Sequence, residues 1–216
     1  MDLQTLIVLI IELIGTIAFS ISGAMVGIRR KMDIFGVLVL GVVTAVGGGM
    51  MRDVILGKTP SAFVKPIYVE VAVISALAPF LLLSINKRLL HSKYQALYAG
   101  LMFLMDSVGL GIFTVVGVNT GISHGYMEYT FLLVFLGTVT GVGGGLLRDV
   151  MAGVPPYILV RHIYACASIV GAIVCVILYR HSGAVAAMVG ASAVVVLIRY
   201  LAAHYRWNLP KLTREE

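Results

Sequence analysis

The stretch GVVTAVGGGMMRD, residues 41–53, returns almost unchanged as GTVTGVGGGLLRD, residues 137–149. Both copies lie in apolar runs, and both place three consecutive glycines where a spanning helix would carry shielding side chains. Each glycine in a helix interior costs about 1 kcal/mol against alanine. Three in a row leave backbone that survives in hydrocarbon only against protein or beside a watery cavity. The repetition predicts two helix breaks, at Gly47, Gly48 and Gly49 and at Gly143, Gly144 and Gly145. Carbonyl oxygens exposed at such breaks can replace part of a cation's hydration shell. Close helix packing of the small-xxx-small kind is the alternative reading. Thr44 and Thr140 either offer hydroxyls to an ion or bond back to their own helix.

Working outward, the duplication covers most of the chain. A shift of 96 aligns Phe35–Tyr68 with Phe131–Tyr164, with about half the positions identical, among them Pro60/Pro156 and Tyr68/Tyr164. A shift of 94 aligns the preceding helices through Gly15/Gly109, Phe19/Phe113, Gly23/Gly117 and Gly27/Gly121, and pairs the carboxylates Glu12 and Asp106. The 216 residues are 60% hydrophobic and only 12% charged, with a mean hydropathy of +1.01. That charge is about half of what a soluble domain carries. Apolar runs near the roughly 20 residues that cross a bilayer predict seven spans: Leu3–Ile28, Ile34–Met51, Ile67–Ile85, Tyr94–Val118, Phe131–Leu147, Ile163–Tyr179 and Gly183–Leu201. The fold class is an all-α integral membrane protein, one domain over residues 1–216. It divides into repeat 1 (1–90), repeat 2 (91–180), and a seventh helix with a tail (181–216). Three spans per repeat is an odd number, so the copies enter the membrane in opposite directions, as in many transport proteins.

Charge sets the expected orientation. An outside N-terminus places Arg29, Arg30, Lys31, Lys87, Arg88, Lys93, Arg161, Arg206, Lys211 and Arg214 in the cytoplasm, against Lys58, Lys65 and Arg180 outside. Trp207 and Tyr205 suit a cytoplasmic aromatic anchor. The net charge of +6 faces lipid headgroups, not nucleic acid, because no basic stripe is interleaved with aromatics. Cys166 and Cys175 share one apolar run and read as small core residues, not a metal site. Nucleotide binding fails for want of a Gly-Lys-Ser/Thr. An enzyme is not indicated either: there is no His-Glu-x-x-His, no Ser/His/Asp set and no metal cluster within the spans, and no cofactor is implied.

Charges inside a membrane are functional by default; the alternative for Arg52-Asp53 and Arg148-Asp149 is interfacial charge capping the ends of spans two and five. Neighbouring residues on a helix point about 100° apart, so Arg52 is expected to pair with Asp149 or another carboxylate, and Arg148 with Asp53, across the pseudo-two-fold. Glu12 and Asp106 are mid-span carboxylates that either line an aqueous path or hold an arginine of the facing repeat.

At the paired Gly-x-Gly-Gly-Gly-x-x-Arg-Asp segments the chain resembles the prokaryotic branch of the trimeric intracellular cation channel family, also labelled the glycine-transporter-like domain family. The resemblance covers nearly the whole chain. It implies a homotrimer in the cell membrane with one pore inside each protomer and kinked second and fifth helices. It also implies potassium-permeable, weakly selective cation conduction, with sodium a further candidate ion. By motif match, Gly47, Gly48, Gly49, Arg52 and Asp53 mark one helix break, and Gly143, Gly144, Gly145, Arg148 and Asp149 the other. Animal members carry a lysine on the fourth helix that is linked to voltage response and phosphoinositide binding. Here that region reads Leu104-Met105-Asp106-Ser107, with no lysine in the span. The same features suit a secondary transporter of a small zwitterion such as glycine, its carboxylate held at a helix N-terminus.

Overall fold

The computed structural model describes residues 3–85, 95–160 and 163–207. They form α1 (Leu3–Arg29), α2 (Ile34–Ile55), α3 (Ser61–Val64), α4 (Ile67–Ile85), α5 (Gln95–Ser123), α6 (Thr130–Met151), α7 (Tyr157–Val160) and α8 (Tyr164–His204). Six of these are long and apolar enough to cross a membrane. The chain is a multi-pass helical membrane protein. Of the basic residues expected in the cytoplasm, Lys87, Arg88, Lys93, Arg161, Lys211 and Arg214 lie outside the described residues.

At 41 residues, α8 is two helices joined at Gly183, whose φ of 77° and ψ of 173° are non-helical. That backbone region is essentially restricted to glycine. The two arms fold back on one another. A Cβ on Gly171 would strike the Val195 side chain, and one on Gly190 would sit 3.2 Å from Leu178.

The glycine triplets do not break their helices. Both α2 and α6 run continuously through them, contrary to the sequence expectation. The missing side chains admit another backbone instead. A Cβ on Gly48 would be driven into the Thr140 carbonyl oxygen, and one on Gly144 into that of Thr44. One on Gly47 would meet Leu147 Cδ1 at 2.6 Å, and one on Gly143 the Met51 sulfur at 2.8 Å. The contact is reciprocal, as a two-fold relation requires. At this crossing the small-residue packing reading holds.

The loops fix the direction of that crossing. Arg30, just before α2, donates to the Gly153 carbonyl just after α6 at 3.0 Å. Lys58, just after α2, lies 2.6 Å from His124, just before α6. So α2 begins where α6 ends, and the two helices are antiparallel. Other contacts also recur in pairs. Gly23 abuts Thr44 and the Leu40 carbonyl, while Gly117 abuts Thr140 and the Leu136 carbonyl. Phe19 and Phe113 meet each other, ring centroids 5.3 Å apart. Cys175 is buried, but Cys166 is exposed, because it falls on the outward face of the first α8 arm; the core expectation fails for it.

Candidate functional site: two buried arginine–aspartate clusters

Each site is built by the way its helix ends. After α2, Gly57 adopts φ 68° and Lys58 N donates to Asp53 O at 2.8 Å. After α6, Gly153 adopts φ 63° and Val154 N donates to Asp149 O at 3.0 Å. This left-handed glycine cap satisfies the last carbonyls and turns the chain back sharply. The following short helix therefore presents its first amides to the aspartate. Asp53 Oδ2 accepts from Ser61 N at 2.7 Å and Ser61 Oγ at 2.8 Å, and Asp149 Oδ2 accepts from Tyr157 N at 2.8 Å.

The other aspartate oxygen takes the neighbouring arginine. Arg52 Nε and Nη2 donate to Asp53 Oδ1 at 2.9 and 2.8 Å, and Arg148 Nε donates to Asp149 Oδ1 at 2.8 Å. The expected cross-repeat pairs, Arg52 with Asp149 and Arg148 with Asp53, do not form. The antiparallel helices diverge from their glycine crossing and carry the two motif ends apart. An arginine is long enough to curl back over its own last turn, so the 100° offset is no obstacle. All four residues are buried, where a pair with further hydrogen bonds is tolerated and a lone charge is not.

The next carboxylates differ between the halves. Arg148 Nη1 reaches Asp106 Oδ1 on α5 at 2.6 Å and Ser22 Oγ on α1 at 2.8 Å, the second bond joining the two repeats. Tyr164 donates to Asp106 Oδ1 at 3.4 Å. Arg199, on the second α8 arm, stands 3.6 Å from Asp106 Oδ2, with its guanidinium 4.8 Å from the ring centroids of both Phe103 and Tyr164. In repeat 1, Glu12 accepts from the Tyr68 hydroxyl and makes no ion pair among the described residues. It borders a cavity of ≈ 110 Å³, with Thr16, Gly49, Arg52, Asp53 and Tyr68 also in the wall.

The structure thus gathers Arg52 and Asp53 with Glu12 in one cavity wall, and Arg148 and Asp149 with Asp106 in a second cluster, where Asp149 borders a cavity of ≈ 580 Å³ beside Arg29 and Arg30 and Asp106 and Arg148 are closed off. It places Thr44 and Thr140 elsewhere. Each donates to its own helix at 2.6 Å, to Leu40 O and Leu136 O, and is fully buried at a helix crossing. Gly47, Gly48, Gly143 and Gly144 lie at the α2–α6 contact; Gly49 faces the cavity and Gly145 the Tyr164 hydroxyl.

Sequence reasoning missed Tyr68 and Tyr164, Ser22 and Arg199. The tyrosines were already flagged as a matched pair by the repeat. Arg199 is a lone charge inside the seventh apolar run, which is itself a signal. Nothing in the sequence pointed to Ser22.

Comparison with known proteins agrees with this fold. A family model described as "Glycine transporter" matches residues 9–84 and 103–180, one stretch for each repeat. The UPF0126 inner membrane protein YadS of Escherichia coli is 41% identical over 165 residues, 76% of this chain and 75% of that one. A UPF0126 membrane protein of Deinococcus radiodurans is 40% identical over 165 residues, 75% of this chain and 72% of its own. A structure solved for conductance through TRIC cation channels superposes with a TM-score of 0.79 at 32% identity, covering 96% of this chain and 98% of that one. The chain belongs to the trimeric intracellular cation channel family. The Rhodobacter sphaeroides TRIC orthologue superposes on this TRIC-family chain with a TM-score of 0.81 at 31% identity, covering 93% of it and 98% of its own length. A prokaryotic TRIC channel in 0.5 M KCl gives a TM-score of 0.84 at 27% identity, covering 95% and 100%.

Proposed function

We propose that this chain is a passive monovalent cation channel, potassium-permeable and weakly selective, with one pathway inside each protomer between the repeats. The observation that carries the reading is the pair of arginine–aspartate clusters buried on either side of the α2–α6 crossing. Arg52 and Asp53 open into a cavity beside Glu12, and Asp149 into another beside Arg29 and Arg30. Buried charge costs several kcal/mol in a membrane unless it is paired or wetted, so its duplication marks a pathway and not mere assembly. Glu12 and Asp53 attract the cation, and the Arg52–Asp53 and Arg148–Asp149–Asp106 hydrogen bonds act as gates. The solved relatives described as TRIC cation channels support the same reading.

The two α8 arms serve as the sixth and seventh spans, and the antiparallel α2 and α6 support a three-plus-three inverted repeat. The copies assemble as a homotrimer in a bacterial cell membrane, with membrane lipid around it. Arg29, Arg30 and Arg206 gather toward the α6 C-terminal end of the bundle, which supports a cytoplasmic C-terminus and an outside N-terminus.

Secondary transport of glycine is the second reading, favoured by the description of the family model. Reconstitution separates the two. Unitary potassium currents without a coupled solute support the channel. Saturable glycine uptake driven by a sodium or proton gradient, without unitary currents, overturns it.

A further inference from the structure

The second arm of α8 lies outside the repeat, so whatever it contributes falls on one half of the molecule alone. It contributes Arg199, 5% exposed. This residue lines a cavity of ≈ 550 Å³ shared with Arg29, Tyr157 and Arg206. Asp106, its ion-pair partner, is not in that cavity's wall. Arg199 therefore stands between the cavity and the carboxylate. Among the described residues repeat 1 has no equivalent, and Glu12 borders its own cavity directly. The glycines repeat the contrast. A Cβ on Gly145 would meet the Tyr164 hydroxyl at 2.8 Å, whereas one on Gly49 would have only Arg52 Nη2, at 3.8 Å.

The Arg199 contact is also loose. At 3.6 Å it is too long for a hydrogen bond. Among the described residues, Asp106 Oδ2, Ser107 Oγ, Arg148 Nη2 and Arg199 Nε are all buried without a hydrogen-bond partner. A half-satisfied polar network in a low dielectric favours rearrangement, because every unmet group gains from a new partner. The aromatic faces of Phe103 and Tyr164 hold the guanidinium meanwhile.

We propose that Arg199 is a latch. It keeps Asp106 engaged with Arg148 and shuts the repeat-2 half of the pathway, while the repeat-1 half stands open at Glu12. A shift of the seventh helix withdraws the guanidinium, exposes Asp106 to the cavity and opens that half. Gating is one-sided because only one repeat has a seventh helix beside it. Arg199 is a positioning residue that acts through Asp106, and the inference rests on the channel reading.

The test reconstitutes the full chain in planar bilayers with symmetric KCl and compares wild type, Arg199→Gln and Arg199→Lys. Arg199→Gln is expected to raise open probability about fivefold or more, the scale of a modest coupling free energy, and to reduce the difference between currents at opposite voltages. Arg199→Lys, which keeps the charge, is expected to restore closing at least in part. Should Arg199→Gln fail to assemble, Arg199→Met keeps the stem packed between the rings and replaces it. Variants that melt at lower temperature but match wild type in open probability and voltage asymmetry overturn the latch, since a purely structural role predicts that result. A wild type that passes no potassium current overturns the channel reading and the latch with it; a conducting wild type with unaltered variants overturns the latch alone.

Discussion

Alanine at Gly48 separates glycine as packing surface from glycine as flexible joint. Its Cβ would enter the Thr140 carbonyl oxygen and lie 3.2 Å from Gly144 N. These are backbone atoms and cannot rotate aside, so α2 and α6 must part. Overpacking of this kind costs about 1–3 kcal/mol, and a clash with fixed backbone belongs at the upper end. Alanine returns about 1 kcal/mol of helix propensity, which leaves a net loss of about 2 kcal/mol. One residue later the sign reverses. A Cβ on Gly49 finds its nearest neighbour among the described residues at an ordinary contact distance of 3.8 Å, at Arg52 Nη2, so Gly49→Ala gains up to about 1 kcal/mol. Gly100, in α5 with nothing among the described residues within 4 Å of its Cβ, behaves like Gly49. Equilibrium unfolding in mixed detergent–SDS micelles, followed by circular dichroism, measures all three. Stabilisation by Gly48→Ala to the degree of Gly49→Ala would refute the crossing geometry. The double variant Gly48→Ala/Gly144→Ala should cost less than the sum of its parts, because both clashes open the same contact.

Asp53→Asn leaves Arg52 with no carboxylate among the described residues, whereas Asp149→Asn leaves Arg148 on Asp106. The first should cost about 3–5 kcal/mol and the second clearly less; equal losses in the same unfolding assay would contradict the asymmetry. Tyr68→Phe frees the Glu12 carboxylate at about 1.5–3 kcal/mol of stability, and Glu12→Gln should lower unitary potassium conductance. Unchanged conductance in Glu12→Gln removes that carboxylate from the pathway. Gly183→Ala should destabilise by about 1–3 kcal/mol, because its φ of 77° and ψ of 173° lie in a region reserved for glycine; a neutral result would place the α8 reversal elsewhere.

Most of the architecture was legible in the sequence, because apolar run length and self-similarity report directly on spans and symmetry. The Gly183 joint fell at the start of the predicted seventh span. The triplets were harder to read, since consecutive glycines look alike whether they weaken a helix or clear room for another backbone. That choice depends on what lies opposite, and Thr140 is remote from Gly48 in sequence. Pairing of the buried charges failed for a related reason. Helical angles describe where Cβ points, while an arginine head is placed by its flexible stem. The aspartates' second task, accepting the first amides of α3 and α7, was invisible until Gly57 and Gly153 turned the chain.

The reciprocal contact of Gly48 with Thr140 and of Gly144 with Thr44 bears on ancestry. A surface that maps onto itself when its two sides are exchanged can be formed by two separate molecules of one shorter polypeptide. Each half already carries both sides of that junction. Fusion of duplicated genes then needs no invention at the centre, only a tether, and the halves become free to diverge. The second α8 arm, outside both halves, adds to that difference: it brings Arg199 to Asp106, and among the described residues nothing like it stands beside Glu12.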